Sequence, residues 1–245
     1  MRLLYTMVAT KSLVTKTIWF SLIMQLITSL IPLGGFFISL PEEHKILSDI
    51  LVLETVVQFI EMIFYIWIAY AVLNVNKMAS RRYIDWVITT PTMLLSTIMF
   101  MKYQEKKENG KLKSEPVKTR EFLVEHKNAI LSIFIYNLGM LTFGYLGELN
   151  ILSKYISIPI GFGFFGKAFE EIYYGFGNKS VVGERLFMFL LFVWSLYGVA
   201  AVFPANLKNV SYNLLDIVAK NFYGLYTVSY THLRAHETVL DLVCR

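Results

Sequence analysis

Seven stretches of this chain are each long and apolar enough to cross a lipid bilayer, and that pattern constrains the fold more than any single residue does. A helix needs about 20 mostly apolar residues to span the hydrocarbon layer. The stretches run over residues 13–40, 48–74, 82–102, 127–149, 154–176, 184–204 and 208–230, and they leave no room for a second, soluble domain. Hydrophobic residues make up 56% of the chain and charged residues 17%, with a mean hydropathy of +0.52. A soluble domain needs more charge than this on its surface. The expectation is an all-α membrane protein, a seven-transmembrane-helix bundle within residues 1–230.

Orientation follows from the longest polar break, residues 103–126, which holds six Lys and Arg. Basic loops stay in the cytoplasm, so seven helices leave the N-terminus extracellular. Arg2, Lys11, Lys16, Lys77, Arg81, Lys154 and Lys208 then fall on the outer side, and the assignment rests mainly on that one loop. No cleavage site follows the first apolar stretch, so it reads as a retained helix. The pI near 9.1 comes from membrane-flanking residues, which makes anionic lipid a simpler partner than nucleic acid. The last fifteen residues, THLRAHETVLDLVCR, break the pattern with His232, Arg234, His236 and Glu237. They read as a non-native tail, 231–245, of translated adapter or vector, and the single cysteine, Cys244, lies within it.

Inside the spans, ionisable residues stand out because a charge in hydrocarbon is costly unless it is paired or faces water. The third span opens RRYIDWVITTP, with Arg82 and Asp85 one turn apart, and the seventh contains LLDIVAKNFYGL, with Asp216 and Lys220 four residues apart on one face. Together they make a compact cluster of two cations and two acids. Taken singly, such residues are as readily explained by an ion pair that fixes helix packing. Aromatic residues at helical spacing, Trp194 and Tyr197 in FVWSLYG and Trp86 beside Asp85, are suited to walling a slot for a flat ligand. Lysine is also the side chain that condenses with an aldehyde when it is desolvated.

RYIDWVITTP, WSLY and DIVAK resemble the third, sixth and seventh helices of the microbial (type 1) rhodopsins. The resemblance implies all-trans-retinal bound as a Schiff base to Lys220, with Asp85 and Asp216 as counterions and Arg82 on their extracellular side. It also implies that Trp86, Thr90, Met93, Met140, Gly144, Trp194 and Tyr197 form the pocket. Asn137 falls where bacteriorhodopsin has a buried acid. The proton pumps of that family read acid, threonine, acid along helix three, whereas the three positions here are Asp85, Thr89 and Ser96. Serine cannot donate a proton near neutral pH. The pumps' pair of extracellular glutamates has no counterpart in VFPANLKN, and Gly198 replaces a kink-forming proline. The Asp-Thr-Ser set is similar to that of rhodopsins of large algal viruses.

Polar residues elsewhere form stripes. Glu54, Gln58 and Glu61 follow spacings of four and three on the second span. Asn206, Asn209, Asn213, Asp216 and Lys220 do so on the seventh, and Gln25, Thr28 and Ser29 add a third stripe on the first. Such stripes either glue helices together or line a hydrated, cation-attracting pathway. The combined pattern favours the pathway, with Glu42 and Glu43 near its cytoplasmic mouth to concentrate cations or to hold a divalent ion that blocks flow. The expected function is a light-gated cation channel, an integral multi-pass membrane photoreceptor and not an enzyme. The expected partners are retinal, lipid and monovalent cations or protons, with a homo-oligomer left open. No resident metal is expected. An outward, slow proton pump is the main alternative and a sensory rhodopsin the next.

Overall fold

The computed structural model describes residues 11–37, 39–70, 75–227 and 229–230. Every long apolar stretch is helical, because in lipid the backbone must satisfy its own hydrogen bonds, and no strand occurs among the described residues. The order is α1 (Lys11–Gly35), α2 (Ile46–Tyr70), α3 (Val75–Glu108), a short α4 (Thr119–Glu125), α5 (Lys127–Glu148), α6 (Lys154–Gly175), α7 (Val181–Ala201) and α8 (Ala205–Asp216). A π turn over Ile217–Phe222 continues α8 as the seventh membrane helix. Residues 231–245 lie outside the described residues, so the reading of that tail is untouched.

The expected boundaries shift at three places. Span three begins at least seven residues earlier than expected, at Val75, and runs on to Glu108, so the first turns of the basic linker are helix and not loop. Its end is tied down: the Glu108 carboxylate accepts hydrogen bonds from the Val181 and Val182 amides at 2.8 and 3.1 Å, covering orphan donors at the start of α7. Ser180 completes that cap by accepting from the Gly183 amide. Farther along the linker, α4 is a single short helix where a loop was expected. The seventh helix is regular only to Asp216, after which the π turn inserts an extra residue per turn at Lys220.

Two helices differ from the rest in what they carry. Five, α1, α2, α3, α5 and α7, are apolar enough along their length to count as spans by composition alone. The seventh helix holds its polar residues inside, with Lys208, Asn209, Asn213, Asp216 and Lys220 all buried, whereas α6 carries Lys167 and Glu170 on its outer face. Pairing of α5 with α6 is close and antiparallel, with Phe143 stacked on Phe164 at 5.6 Å. A Cβ at Gly139 would lie 2.6 Å from the Phe164 ring, so the glycine is what admits that aromatic. The interior of the bundle is dense and apolar toward the cytoplasmic end, around Ile98, Met99, Phe100, Phe169 and Phe187.

Lys208 corrects its assignment to the short loop before span seven. It is buried, and its ammonium donates to both oxygens of Glu148 at 2.7 Å, while Lys154 stands 3.8 Å from the same carboxylate. This pair joins the end of α5 to the start of α8. Removing one partner of a buried pair strands the other charge at a cost of about 3–5 kcal/mol. Glu148→Ala is expected to lower the thermal unfolding temperature, and adding Lys208→Met is expected to recover part of the loss, both measured by circular dichroism.

Candidate functional site

Four helices bring their ionisable residues to one buried centre. The free Lys220 ammonium donates to Asp85 Oδ2 at 2.6 Å and pairs with Glu61 Oε1 at 3.3 Å. Arg82 lies beside the other aspartate, its guanidinium 2.6 Å from Asp216 Oδ2. Tyr65 and Tyr197 also donate to Asp216, at 2.7 and 2.8 Å. Arg82 reaches Tyr65 Oη at 3.2 Å and Asn213 Oδ1, and its guanidinium carbon lies 5.6–5.9 Å from the ring centres of Phe64, Tyr65 and Tyr212. All five ionisable residues are at most 3% exposed. Each acid is thereby matched to a cation or to hydrogen-bond donors, which is what makes burial of this many charges tolerable.

The expected neutral cluster of two acids and two cations is therefore incomplete. Glu61, which its spacing assigned to a pathway stripe, adds a third carboxylate at Lys220, and Tyr65 adds a donor that no spacing in the sequence pointed to. Arg82 and Lys220 do not share a carboxylate: Asp216 takes the arginine, Asp85 the lysine. Thr89 sits one turn above Asp85 but donates to its backbone carbonyl, at 3.0 Å.

A cavity of about 120 Å³ opens from Lys220 toward α5, α6 and α7. Trp86, Thr90, Met93, Met140, Gly144, Trp194 and Tyr197, the seven residues expected around a ligand on Lys220, all line it. Phe162, Phe165, Gly161, Gly198 and Ala201 also line it without having been singled out as wall. Trp86 is fixed edge-on to Tyr197 and Tyr212 at 5.5 and 5.2 Å. Gly144 is required by its neighbour, since a Cβ there would lie 2.6 Å from the Tyr83 hydroxyl. Gly198, where a proline kink was absent, lies under the Phe162 ring, which a Cβ would approach to 2.2 Å. Asn137 donates to Thr90 Oγ1 at 2.8 Å, bridging α5 and α3 beside the cavity. An amine in the wall of a mainly aromatic and aliphatic cavity suits an apolar aldehyde.

On the other side of Lys220, polar side chains of α1, α2 and the seventh helix interlock. Gln25 and Asn221 exchange amide hydrogen bonds at 2.9 Å. Thr28 donates to Gln58 Oε1 at 3.1 Å, and Gln58 Nε2 donates to the Lys220 backbone carbonyl at 3.0 Å. Toward the opposite end, Asn213 donates to Thr17 at 2.8 Å, and Ser21 donates to the Asn213 carbonyl at 3.0 Å. Ser29 points instead at Leu26 O and the Met62 sulfur, Asn209 bonds back to Ala205 O within α8, and Asn206 lies half-buried in the first turn of α8, outside this network.

Ser96 is not isolated. Its hydroxyl contacts the Glu54 carboxyl and the Met93 carbonyl at 2.9 Å. A hydroxyl owns one proton, so both contacts are hydrogen bonds together only when the Glu54 carboxyl carries the other. The acid expected to be missing from helix three is thus supplied at the same level by α2. Beyond it, Phe100, Tyr103, Tyr226 and Tyr230 pack edge to face, and Tyr103 hydrogen-bonds His44 at 2.9 Å, sealing the cytoplasmic end. Glu42 and Glu43 belong to a short 3₁₀ turn there. Among the described residues no three His, Cys, Asp or Glu side chains gather to hold a metal ion.

Residues 16–233 match the family described as bacteriorhodopsin-like protein. Among solved structures, the chain is similar to the viral rhodopsin OLPVRII, with 24% identity, 89% of this chain and 97% of that one covered and a TM-score of 0.74. It also resembles a thermophilic rhodopsin, at 17% identity, coverages of 93% and 96% and a TM-score of 0.71. A halorhodopsin from Halobacterium salinarum is similar at 12% identity, coverages of 89% and 93% and a TM-score of 0.67. No curated protein sequence matches. At these identities the structural likeness carries the fold alone.

Tyr65→Phe removes a buried hydrogen bond to a charged partner, worth about 1.5–3 kcal/mol. The expected outcome is a lower thermal unfolding temperature with helix content unchanged, read by circular dichroism.

Proposed function

The chain belongs to the bacteriorhodopsin-like family, and we propose that it is a retinal protein in which light opens a passive path for cations. The observation that carries this reading is the file of buried polar side chains between α1, α2, α3 and the seventh helix. It passes from Thr17 and Asn213, past Asp216, Glu61 and Asp85, to Gln58, Asn221, Gln25 and Glu54. Near Lys220 three carboxylates face two cations, so the middle of the file is a place where a cation is favoured over an anion.

Retinal fits the residues present: the cavity ends on the Lys220 amine, and its wall from Trp86 to Tyr197 is apolar and aromatic. Bound to that amine as a Schiff base, retinal supplies absorption of visible light and an isomerisation. Asp85, 2.6 Å from Lys220 Nζ, is the nearest proton acceptor, and Asp216 is held out of that role by Arg82 and two tyrosines. Taking up a proton would remove the charge that Asp85 sets against Lys220. The backbone carbonyl of Lys220 is at the same time bonded to Gln58, so a movement of this residue is transmitted to the α1–α2 network that closes the file. Trp194 and Tyr197 would hold the ligand from α7, and the aromatic contact of Tyr103 with Tyr230 lies toward the cytoplasmic end.

A second reading has its own support. Glu54, in contact with the Ser96 hydroxyl, stands on the cytoplasmic side of Lys220 as an acid able to return a proton, which is what an outward pump needs.

Lys220→Ala is expected to give a protein with no visible absorption band after all-trans-retinal is added; a band that survives would overturn the lysine assignment. Voltage-clamp recording under illumination separates the two transport readings. A channel current changes sign at a potential set by the cation gradients, and Glu61→Gln is expected to reduce it several-fold while the visible band is kept. A current that stays outward at every voltage, ignores sodium and potassium replacement and slows in Glu54→Gln would instead establish the pump.

A further inference from the structure

The cavity holds two hydroxyls that the binding of retinal at Lys220 leaves unused. Ser157, in the first turn of α6, is fully buried and lines the cavity, yet its Oγ has no hydrogen-bond partner among the described residues. A buried hydroxyl in that state is rare and calls for a partner. It occupies the space that a Cβ at Gly147 would need, so α5 makes room for it without bonding it. Tyr83, on α3, lines the same cavity. Its ring centre lies 5.0 Å from that of Trp86 and 5.4 Å from that of Tyr145, which sets Oη against Gly144, 2.6 Å from where a Cβ would stand. No side chain among the described residues hydrogen-bonds that Oη. Gly144 and Gly147 are one turn apart on α5, about 4.5 Å along its axis, so the two hydroxyls face successive turns of one helix. Ala201 belongs to the same end of the cavity: its carbonyl accepts from Lys154, one turn before Ser157, at 3.4 Å. Lys220 faces this end from the seventh helix, across the cavity from α5 and α6.

We infer that this end of the cavity receives an oxygen atom of the ligand, so that the preferred chromophore is a retinal hydroxylated on its ring. The inference rests on the retinal reading above and narrows it. With the aldehyde carbon on Lys220, the ring is the remote end of the molecule, and the remote wall is where Ser157 and Tyr83 stand. A ring hydroxyl can donate to one of these oxygens and accept from the other. The hydrocarbon ring of unmodified retinal leaves both without a partner in an apolar wall, the costly condition for a buried polar group. Water is the competing occupant, but it needs at least two partners and gives up a mobility that a hydroxyl fixed to a bound ligand has already lost.

The test expresses the full chain in cells that make no retinal and supplies equal amounts of all-trans-retinal and all-trans-3-hydroxyretinal. Chromophore is extracted from the purified pigment, and the ratio of the two compounds is read by liquid chromatography. The expected result is about a tenfold excess of the hydroxylated compound. Ser157→Ala is expected to bring the ratio near one, and Tyr83→Phe to lower it several-fold. The visible band that each variant forms reports its folding. A pigment that takes up both compounds equally, or an excess that survives Ser157→Ala, overturns the proposal and leaves the retinal reading standing. Absence of pigment with either compound overturns the retinal reading, and this proposal with it.

Discussion

A single buried cation organises this molecule. Lys220 sits in the middle of a membrane helix, where an unpaired ammonium is not tolerated, and Asp85 and Glu61 from two other helices answer it at 2.6 and 3.3 Å. These contacts fix the relative heights of α2, α3 and the seventh helix. They also divide the interior: the cavity lies on the α5–α6–α7 side of the lysine, and the hydrogen-bonded polar file lies on the α1–α2 side. Cavity and polar file are therefore two halves of one bundle that meet at this residue and at Tyr197, which lines the cavity and donates to Asp216.

The second cation serves a different purpose. Arg82 is bound to Asp216, Tyr65 and Asn213 and is walled by aromatic rings, so it cannot leave without breaking several contacts at once. Asp216 in turn receives three donors. A carboxylate so fully engaged is fixed in place, whereas one oxygen of Asp85 has no partner among the described residues. The difference between two aspartates that look equivalent in the sequence is thus a difference in how many donors each one has.

Legibility in the sequence followed the cost of burial. Asp85, Asp216 and Lys220 stand out because each is an ionisable residue in an apolar run, and the aromatic wall from Trp86 to Tyr197 follows from residues at helical spacing around them. Tyr65 and Glu148 give no such signal, since a tyrosine in a span is ordinary and a glutamate at a helix end reads as solvated. Their roles exist only once Asp216 and Lys208, 151 and 60 residues away, are packed against them. Glu54 was visible as part of a stripe but not as a partner of Ser96, because spacing along one helix says nothing about height relative to another. Lys208 misled for the opposite reason: next to a short loop, a lysine is usually wet. The π turn at Lys220 has no marker such as glycine or proline, and arises where the seventh helix must satisfy Gln58 and the central acids together.

That π turn bears on how a local event reaches the rest of the protein. In an ordinary helix the carbonyl of a residue is committed to the amide four positions on, and the side chain moves without disturbing it. Here the carbonyl of Lys220 also accepts from Gln58, Gln58 accepts from Thr28, and Asn221, the next residue along, is locked to Gln25. The side chain of Lys220 faces the carboxylates while its backbone is part of the network that packs α1 and α2 against the seventh helix. The cavity side is consequently joined to the polar file through covalent geometry and four hydrogen bonds, without a long relay of intermediates. A single π turn in an otherwise regular helix is rare and is found most often at functional sites, and here it falls on the residue that joins the cavity to the polar file.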